Sequence, residues 1–248
     1  MITFFKVTHN IDNYSVILQY FNGFKYIIFY IQMDVKFKHN FCESRLNNYQ
    51  PPELWNAYTS FAISVFPFIL KFPKSNIFYN IACMLSINGF ASFYYHYYLS
   101  WYGKQADEIT MILANYYGIW GLLKMYYFTN KTKINWYNGW NSVFMVLFLV
   151  INTVSKNDYM FPNIFGFYLF FSIYLIYLVA NKNNYSYKRY LFISSIGGIC
   201  WIISENHCTE ITKYGHVVWH FLFPLGFYRL IINYDNYYCE MKKIFNNN

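Results

Sequence analysis

Seven apolar runs follow one another along the chain after residue 50. A helix needs roughly 17 to 25 apolar residues to cross a hydrocarbon layer of about 30 Å. Five of the runs reach that length, and the fourth and sixth are shorter. The runs cover residues 54–72, 77–99, 108–128, 140–154, 164–180, 190–204 and 216–232.

The segments between these runs are polar or helix-breaking, as in Phe72-Pro73-Lys74-Ser75 and Trp101-Tyr102-Gly103-Lys104. No polar stretch is long enough to form a separate soluble domain after the first run. The pattern therefore predicts an all-α integral membrane bundle of seven transmembrane helices in residues 34–248.

Composition agrees with lipid as the solvent, because 56% of the residues are hydrophobic and only 12% are charged. The net charge of +8 does not indicate nucleic-acid binding, since the Lys and Arg residues are scattered singly between apolar runs. They indicate topology instead. If the N-terminus is outside, the inner loops and the C-terminal tail hold 11 Lys and Arg residues, and the outer loops with the N-terminal segment hold 8. Cytoplasmic segments carry the excess of Lys and Arg, so we predict a lumenal N-terminus and a cytosolic C-terminus.

Residues 1–33 form a leader or an interfacial segment of uncertain role. The stretch 15–31 is apolar, but it contains Gln19, Asn22 and Lys25 and lacks a small-residue cleavage site, which argues against a signal peptide. We expect either a leader whose structure the sequence does not determine or a helix that lies on the membrane surface. Met33 is an alternative start to Met1.

Ionisable side chains are few in the apolar runs, and they are patterned. Ser92 and His96 are four residues apart at the end of the second run, and His216 and His220 have the same spacing at the start of the seventh. Residues at i and i+4 share one face of a helix. In the predicted topology these ends, and Asp107 before the third run, lie on the same side of the membrane.

Three histidines with one open position are typical of a catalytic zinc ion. We therefore predict that His96, His216 and His220 bind Zn²⁺. Asp107 is the candidate general base and acid, and Ser92 the candidate hydrogen-bond donor to the water or to a developing oxyanion. An isolated HxxxH is weak support, and the alternative is that these histidines only pack in the bundle.

These residues resemble the zinc-binding pattern of a membrane hydrolase superfamily that includes alkaline ceramidases, lipid-remodelling factors and the progestin and adiponectin receptors. Three stretches are similar to the alkaline ceramidases in particular. They are Cys42-Glu43 with Glu53-Leu54-Trp55-Asn56, the run from Gln105 to Met111, and the run from Trp201 to Cys208.

The resemblance implies a multi-pass protein of the endoplasmic reticulum or Golgi membrane that hydrolyses the N-acyl bond of ceramide, a membrane lipid. The products are a sphingoid base and a fatty acid. No nucleic acid is expected as a partner. It also implies a disulfide between Cys42 and Cys208, both lumenal in the predicted topology.

The family pattern further implies a calcium site near the N-terminus, and here the chain departs from it. Asn40 stands where the family has Asp and Arg45 where it has Asn, while Glu43 and Glu53 remain. Losing a carboxylate and gaining a guanidinium makes Ca²⁺ doubtful, since calcium takes six to eight oxygen ligands. We expect Arg45 to pair with Glu43 and Glu53 in its place. The alternative is that Arg45 points into solvent.

Three other functions remain open at this point. A receptor-like protein could use the same scaffold, although the segment from Cys42 to Asn56 resembles ceramidases. A lipase could cleave an ester with the same zinc site. A structural membrane protein could carry a vestigial metal site.

Overall fold

The computed structural model describes residues 10–11, 14–15, 17–21, 24–28, 41–47, 50–155 and 160–247. The described part of the N-terminal segment consists of two antiparallel hairpins. Strands β1 (Asn10–Ile11) and β2 (Tyr14–Ser15) pair in one, and β3 (Ile17–Phe21) and β4 (Phe24–Ile28) pair in the other. The described residues of this segment form strands and not a helix, and its role as a leader or an interfacial segment stays a prediction.

The rest of the described chain is helical. A short helix precedes seven long helices, and a 3-10 turn, Thr212–Tyr214, leads into the last one. The helices are α1 (Cys42–Leu46), α2 (Leu54–Leu70), α3 (Asn76–Tyr98), α4 (Trp101–Tyr126), α5 (Lys131–Val154), α6 (Met160–Asn183), α7 (Lys188–Asn206) and α8 (Gly215–Asn247). Each long helix overlaps one of the seven predicted runs, and the first three runs extend one or two residues beyond the ends of their helices.

The predicted break at 101–104 is wrong, because those residues form the first turn of α4. The chain reverses two residues earlier, where Leu99 has a positive φ of 46° and Ser100 caps α4 by accepting a hydrogen bond from the Gly103 amide at 3.1 Å. Gly103 serves packing instead. A Cβ there would lie 2.8 Å from the Cα of Tyr95, so only glycine lets α4 approach α3 so closely.

Four of these helices are long and apolar enough to cross a membrane: Asn76–Tyr98, Lys131–Val154, Met160–Asn183 and Thr212–Phe245. Helix α2 is apolar but shorter. Large apolar side chains also lie exposed on the outside of the bundle, among them Ile69, Phe170 and Phe192. Such a surface suits lipid and not water. The protein is therefore an all-α membrane bundle.

The bundle separates an apolar core from a polar end. The core includes Phe78 in the first half of α3, Leu123 and Val179 in the second halves of α4 and α6, and Leu230 in the middle of α8. The buried polar residues of α3 lie near its other end, from Asn88 to His96. At 1.5 Å per residue, about 20 Å of helix separates Phe78 from Ser92. The candidate site is thus built near the end of α3 that is remote from Phe78.

Candidate metal centre

The structure brings His96, His216 and His220 together. His96 comes from the end of α3, and the other two come from the first two turns of α8. All three are buried, and one ligand atom of each lies within 4.8 Å of those of the others. Gly215 permits this arrangement, because a Cβ there would lie 2.1 Å from the Cys200 carbonyl oxygen. The start of α8 can therefore pack directly on α7.

Two of the imidazoles are oriented by acceptors on their Nδ1 atoms. Glu53 Oε2 lies 2.5 Å from His96 Nδ1. Thr59 Oγ1 lies 3.0 Å from His220 Nδ1. When the Thr59 hydroxyl donates its proton to the Trp55 carbonyl at 2.7 Å, its oxygen accepts from His220 Nδ1. With Nδ1 protonated in both rings, each Nε2 carries a free lone pair for a metal ion.

The third imidazole, His216, lacks such a bond. Its Nδ1 has no hydrogen-bond partner in the part of the chain that the structure describes. Glu205 Oε1 lies 3.7 Å away, which is too long for a hydrogen bond but close enough for charge attraction. The Phe41 ring packs edge-on against His216, with 4.5 Å between ring centroids.

Ser92 lies on the face of α3 that carries His96, and Asn88 on that face contacts Asp107 of α4. Asn88, Ser92 and His96 follow one another at intervals of four residues. Asn88 Nδ2 donates to Asp107 Oδ1 at 2.8 Å. Ser60 Oγ of α2 donates to Ser92 Oγ at 3.1 Å. The face of α3 that carries His96 therefore also carries Ser92, the predicted hydroxyl donor, and contacts Asp107, the predicted base.

The two remaining acidic residues of the calcium pattern are buried and already hydrogen-bonded. Glu43 accepts from the backbone amides of Trp55 at 2.8 Å and Asn56 at 2.9 Å. Burial raises the pKa of Glu43, and these two amides oppose the rise. Glu53 accepts from the Ser44 hydroxyl at 2.5 Å besides contacting His96.

Burial also raises the pKa of Glu53, to about 7, with the hydrogen bond from Ser44 acting against it. A dication at the histidines would favour the ionised form and lower this pKa. Glu53 therefore serves as an acceptor for the ring of His96, a role that differs from the calcium ligand implied by the resemblance.

The expected pairing of Arg45 with Glu43 and Glu53 is wrong. Arg45 Nη2 lies 2.8 Å from Glu205 Oε2 and 3.0 Å from the Glu205 carbonyl oxygen. Residues two apart on a helix do not face each other, so Arg45 points away from Glu43 on α1. Asn40, the fourth member of the pattern, lies outside the described residues.

Cys42 and Cys208 are joined by a disulfide, with 5.3 Å between their Cα atoms. The bond ties the first residue of α1 to the segment between α7 and α8. It therefore attaches the part of the chain that bears Glu43 and Ser44 to the helix end next to His216.

Sequence reasoning missed Thr59 and Glu205. Each is a polar residue inside or next to an apolar run, which was an available signal. Thr59 contacts His220, more than 150 residues away. Glu205 contacts Arg45, also more than 150 residues away, and His216 on the next helix. No local spacing in the sequence indicates these contacts.

The donor set suits a metal ion that accepts neutral imidazole. Three buried nitrogens with two rings held in the correct tautomer match the protein ligands of a catalytic zinc site. Nearby carboxylates are engaged elsewhere in the described structure, which leaves a three-nitrogen site. The centre can thus hold a metal ion with one coordination position open.

The family model described as Ceramidase matches residues 34–246. The match includes the three histidines, Asp107 and Ser92. No curated protein matches the chain.

Proposed function

The chain belongs to the ceramidase family, and from this premise we propose that it hydrolyses the N-acyl amide bond of ceramide with the help of zinc. Membership implies a hydrolase that acts on a lipid in a membrane. The finer proposal is that Zn²⁺ binds at His96, His216 and His220. Water is consumed, the amide C–N bond breaks, and a fatty acid and a sphingoid base are released.

The observation that carries the proposal is the orientation of the histidine rings. His96 and His220 turn their Nδ1 atoms outward to Glu53 and Thr59, which leaves the inner nitrogens free to bind one ion. Imidazoles that only packed in the bundle would also need acceptors for their N–H groups, but packing alone would not require the ligand atoms of three rings to lie within 4.8 Å of one another. Zinc, when bound, lowers the pKa of water and polarises a carbonyl group.

The side chains of this protein supply the proton transfers and the orientation. The Asp107 carboxylate accepts the proton from the attacking water and returns it to the departing amide nitrogen. Asn88 holds Asp107 by its 2.8 Å hydrogen bond. Ser92 Oγ donates to the oxygen on which negative charge develops. Hydrolysis balances with water as the only co-reactant.

The location follows from the charge distribution and the family. We propose seven transmembrane helices, α2 to α8, with the N-terminus lumenal and the C-terminus cytosolic. The histidines then lie near the lumenal end of the bundle. The endoplasmic reticulum or Golgi membrane is the proposed compartment, where an oxidising lumen suits the disulfide of Cys42 and Cys208.

The deciding experiment measures fatty-acid release from ceramides and, in parallel, from phospholipid esters by the purified protein in detergent. We expect release from ceramide that a zinc chelator abolishes and added zinc restores. His216→Ala should abolish it. The matched control is His207→Ala, because His207 is exposed and stands apart from the three-histidine group.

Two results would contradict the proposal. Cleavage of the esters with no cleavage of ceramide would assign the site to a lipase. Ceramide hydrolysis that survives both His216→Ala and chelation would show that the histidine centre is not the reaction site.

A further inference from the structure

Glu205, at the end of α7, connects three parts of the metal centre through one carboxylate. Its Oε2 lies 2.8 Å from the Arg45 guanidinium and accepts from the Cys42 backbone amide at 3.2 Å. Its Oε1 lies 3.7 Å from His216 Nδ1. The carboxylate therefore faces both the short helix α1 and a metal-binding ring.

We propose that Arg45 and Glu205 form a fixed ion pair that positions α1 and His216 at the metal centre, without the calcium ion that the family resemblance implies. This inference rests on one part of the proposed function, namely that the three histidines bind zinc. Both residues are positioning residues.

The position of α1 matters because it orients a second histidine. Ser44 on α1 donates to Glu53 at 2.5 Å, and Glu53 in turn holds the ring of His96. The disulfide fixes only the first residue of α1, whereas Arg45 fixes the helix nearly one turn later. The two attachments hold α1 against α7, while Glu43 holds it to the start of α2. Loss of the ion pair would thus disturb two of the three ligands.

The described residues do not fit a calcium ion. Each Glu43 oxygen already accepts a backbone amide, from Trp55 and from Asn56. The Glu53 oxygens meet the Ser44 hydroxyl and the His96 ring. Calcium takes six to eight oxygens, so carboxylates committed to other donors make a poor cage. Arg45 adds a permanent positive charge beside Glu205, which also disfavours a second cation.

The solvent exposure of the pair decides which measurement is informative. The Arg45 side chain is 38% exposed and that of Glu205 19%. Ion pairs this close to solvent contribute little to stability, so a melting temperature alone would not reveal the role. The affinity for zinc responds to the orientation of the ligands and is the better readout.

The test measures the dissociation constant for zinc, by competition with a chromophoric chelator, on the full chain in detergent. We expect Arg45→Met and Glu205→Gln each to weaken zinc binding by about 10-fold to 100-fold, the usual effect of losing an outer partner of a metal ligand. The double variant should lose less than the product of the two single losses, because both changes remove the same pair. Arg45→Lys should restore part of the affinity.

The matched control is Lys213→Met, which removes the ion pair of Lys213 with Glu210 between α7 and α8. It should leave the zinc affinity unchanged. Wild-type zinc affinity in both single variants would overturn the proposal. So would losses that multiply in the double variant, since they would show that the two residues act independently.

A calcium titration gives a second, independent result. About 5 mM calcium exceeds the dissociation constants of even weak protein calcium sites. We expect it to change neither the zinc affinity nor the melting temperature of the wild-type protein, and an increase in either would overturn the proposal. Neither readout involves hydrolysis. A protein that binds zinc but leaves ceramide intact would refute the proposed function and leave this inference standing.

Discussion

Replacing Glu53 by Gln is expected to weaken zinc binding at the three-histidine centre. Glu53 is fully buried, and His96 Nδ1, the Ser44 hydroxyl and the Phe41 amide all point at its carboxylate, at 2.5, 2.5 and 3.3 Å. Glutamine has nearly the same volume but no negative charge, and it can offer only one acceptor oxygen.

The magnitude follows from what the carboxylate does for the His96 ring. An acceptor on Nδ1 fixes the tautomer and raises the basicity of the nitrogen that binds the metal. If the Gln amide group turns its NH₂ towards His96, the ring must carry its proton on the metal-binding side instead. Loss of such partners costs about 10-fold to 100-fold in metal affinity, or about 1.4 to 2.8 kcal/mol.

The assay compares the dissociation constants for zinc of Glu53→Gln and wild type, and then measures ceramide hydrolysis at limiting and at saturating zinc. Activity should fall at limiting zinc and largely return at saturation, because all three ligands remain. Glu108→Gln is the matched control, since Glu108 is also a buried carboxylate but hydrogen-bonds Asn152 on α5 at 2.9 Å.

The reasoning would be refuted by a Glu53→Gln protein that keeps its wild-type zinc affinity. A loss of equal size in Glu108→Gln would also refute it, because the effect would then come from any buried carboxylate and not from the contact with His96.

Three further changes test other parts of the site and the fold. Asp107→Asn should lower the rate of ceramide hydrolysis by about 10²-fold to 10⁴-fold with unchanged zinc affinity, since it removes proton transfer but no ligand; a large affinity loss would contradict that role. Thr59→Val should weaken zinc binding by up to about 10-fold, because His220 Nδ1 loses its acceptor; unchanged binding would count against the assigned tautomer. Asp235→Ala should lower the free energy of unfolding by about 1 to 3 kcal/mol, since this buried carboxylate accepts two backbone amides at the start of α3; thermal melting measures it against the exposed Glu240→Gln.

The seven long helices were largely predictable, because lipid-spanning helices must satisfy their backbone groups internally and cover themselves with apolar side chains. The ends of the helices were less predictable from the sequence. Helix α5 begins nine residues before the predicted run, since polar residues from Lys131 onward continue the helix beyond the apolar stretch. Gly103 was taken for a break although it is the contact point of α4 on α3.

The sequence alone also determined which residues could share a helix face. The spacing of Ser92 with His96, and of His216 with His220, depends only on the 3.6-residue period of a helix. A polar or ionisable side chain inside an apolar run is costly to place in a membrane, so these residues were identified as candidates for function. The nature of the candidate centre was predictable for that reason.

Only the tertiary structure decided which groups surround those histidines. Glu53, Thr59 and Glu205 reach His96, His220 and His216 from other helices or from a connecting segment. The partner of Arg45 was mispredicted for the same reason, because nearness in sequence favoured Glu43 while the direction of the side chain on α1 favoured Glu205. A local period fixes the face on which a side chain lies, but the packing of distant helices selects what it meets there.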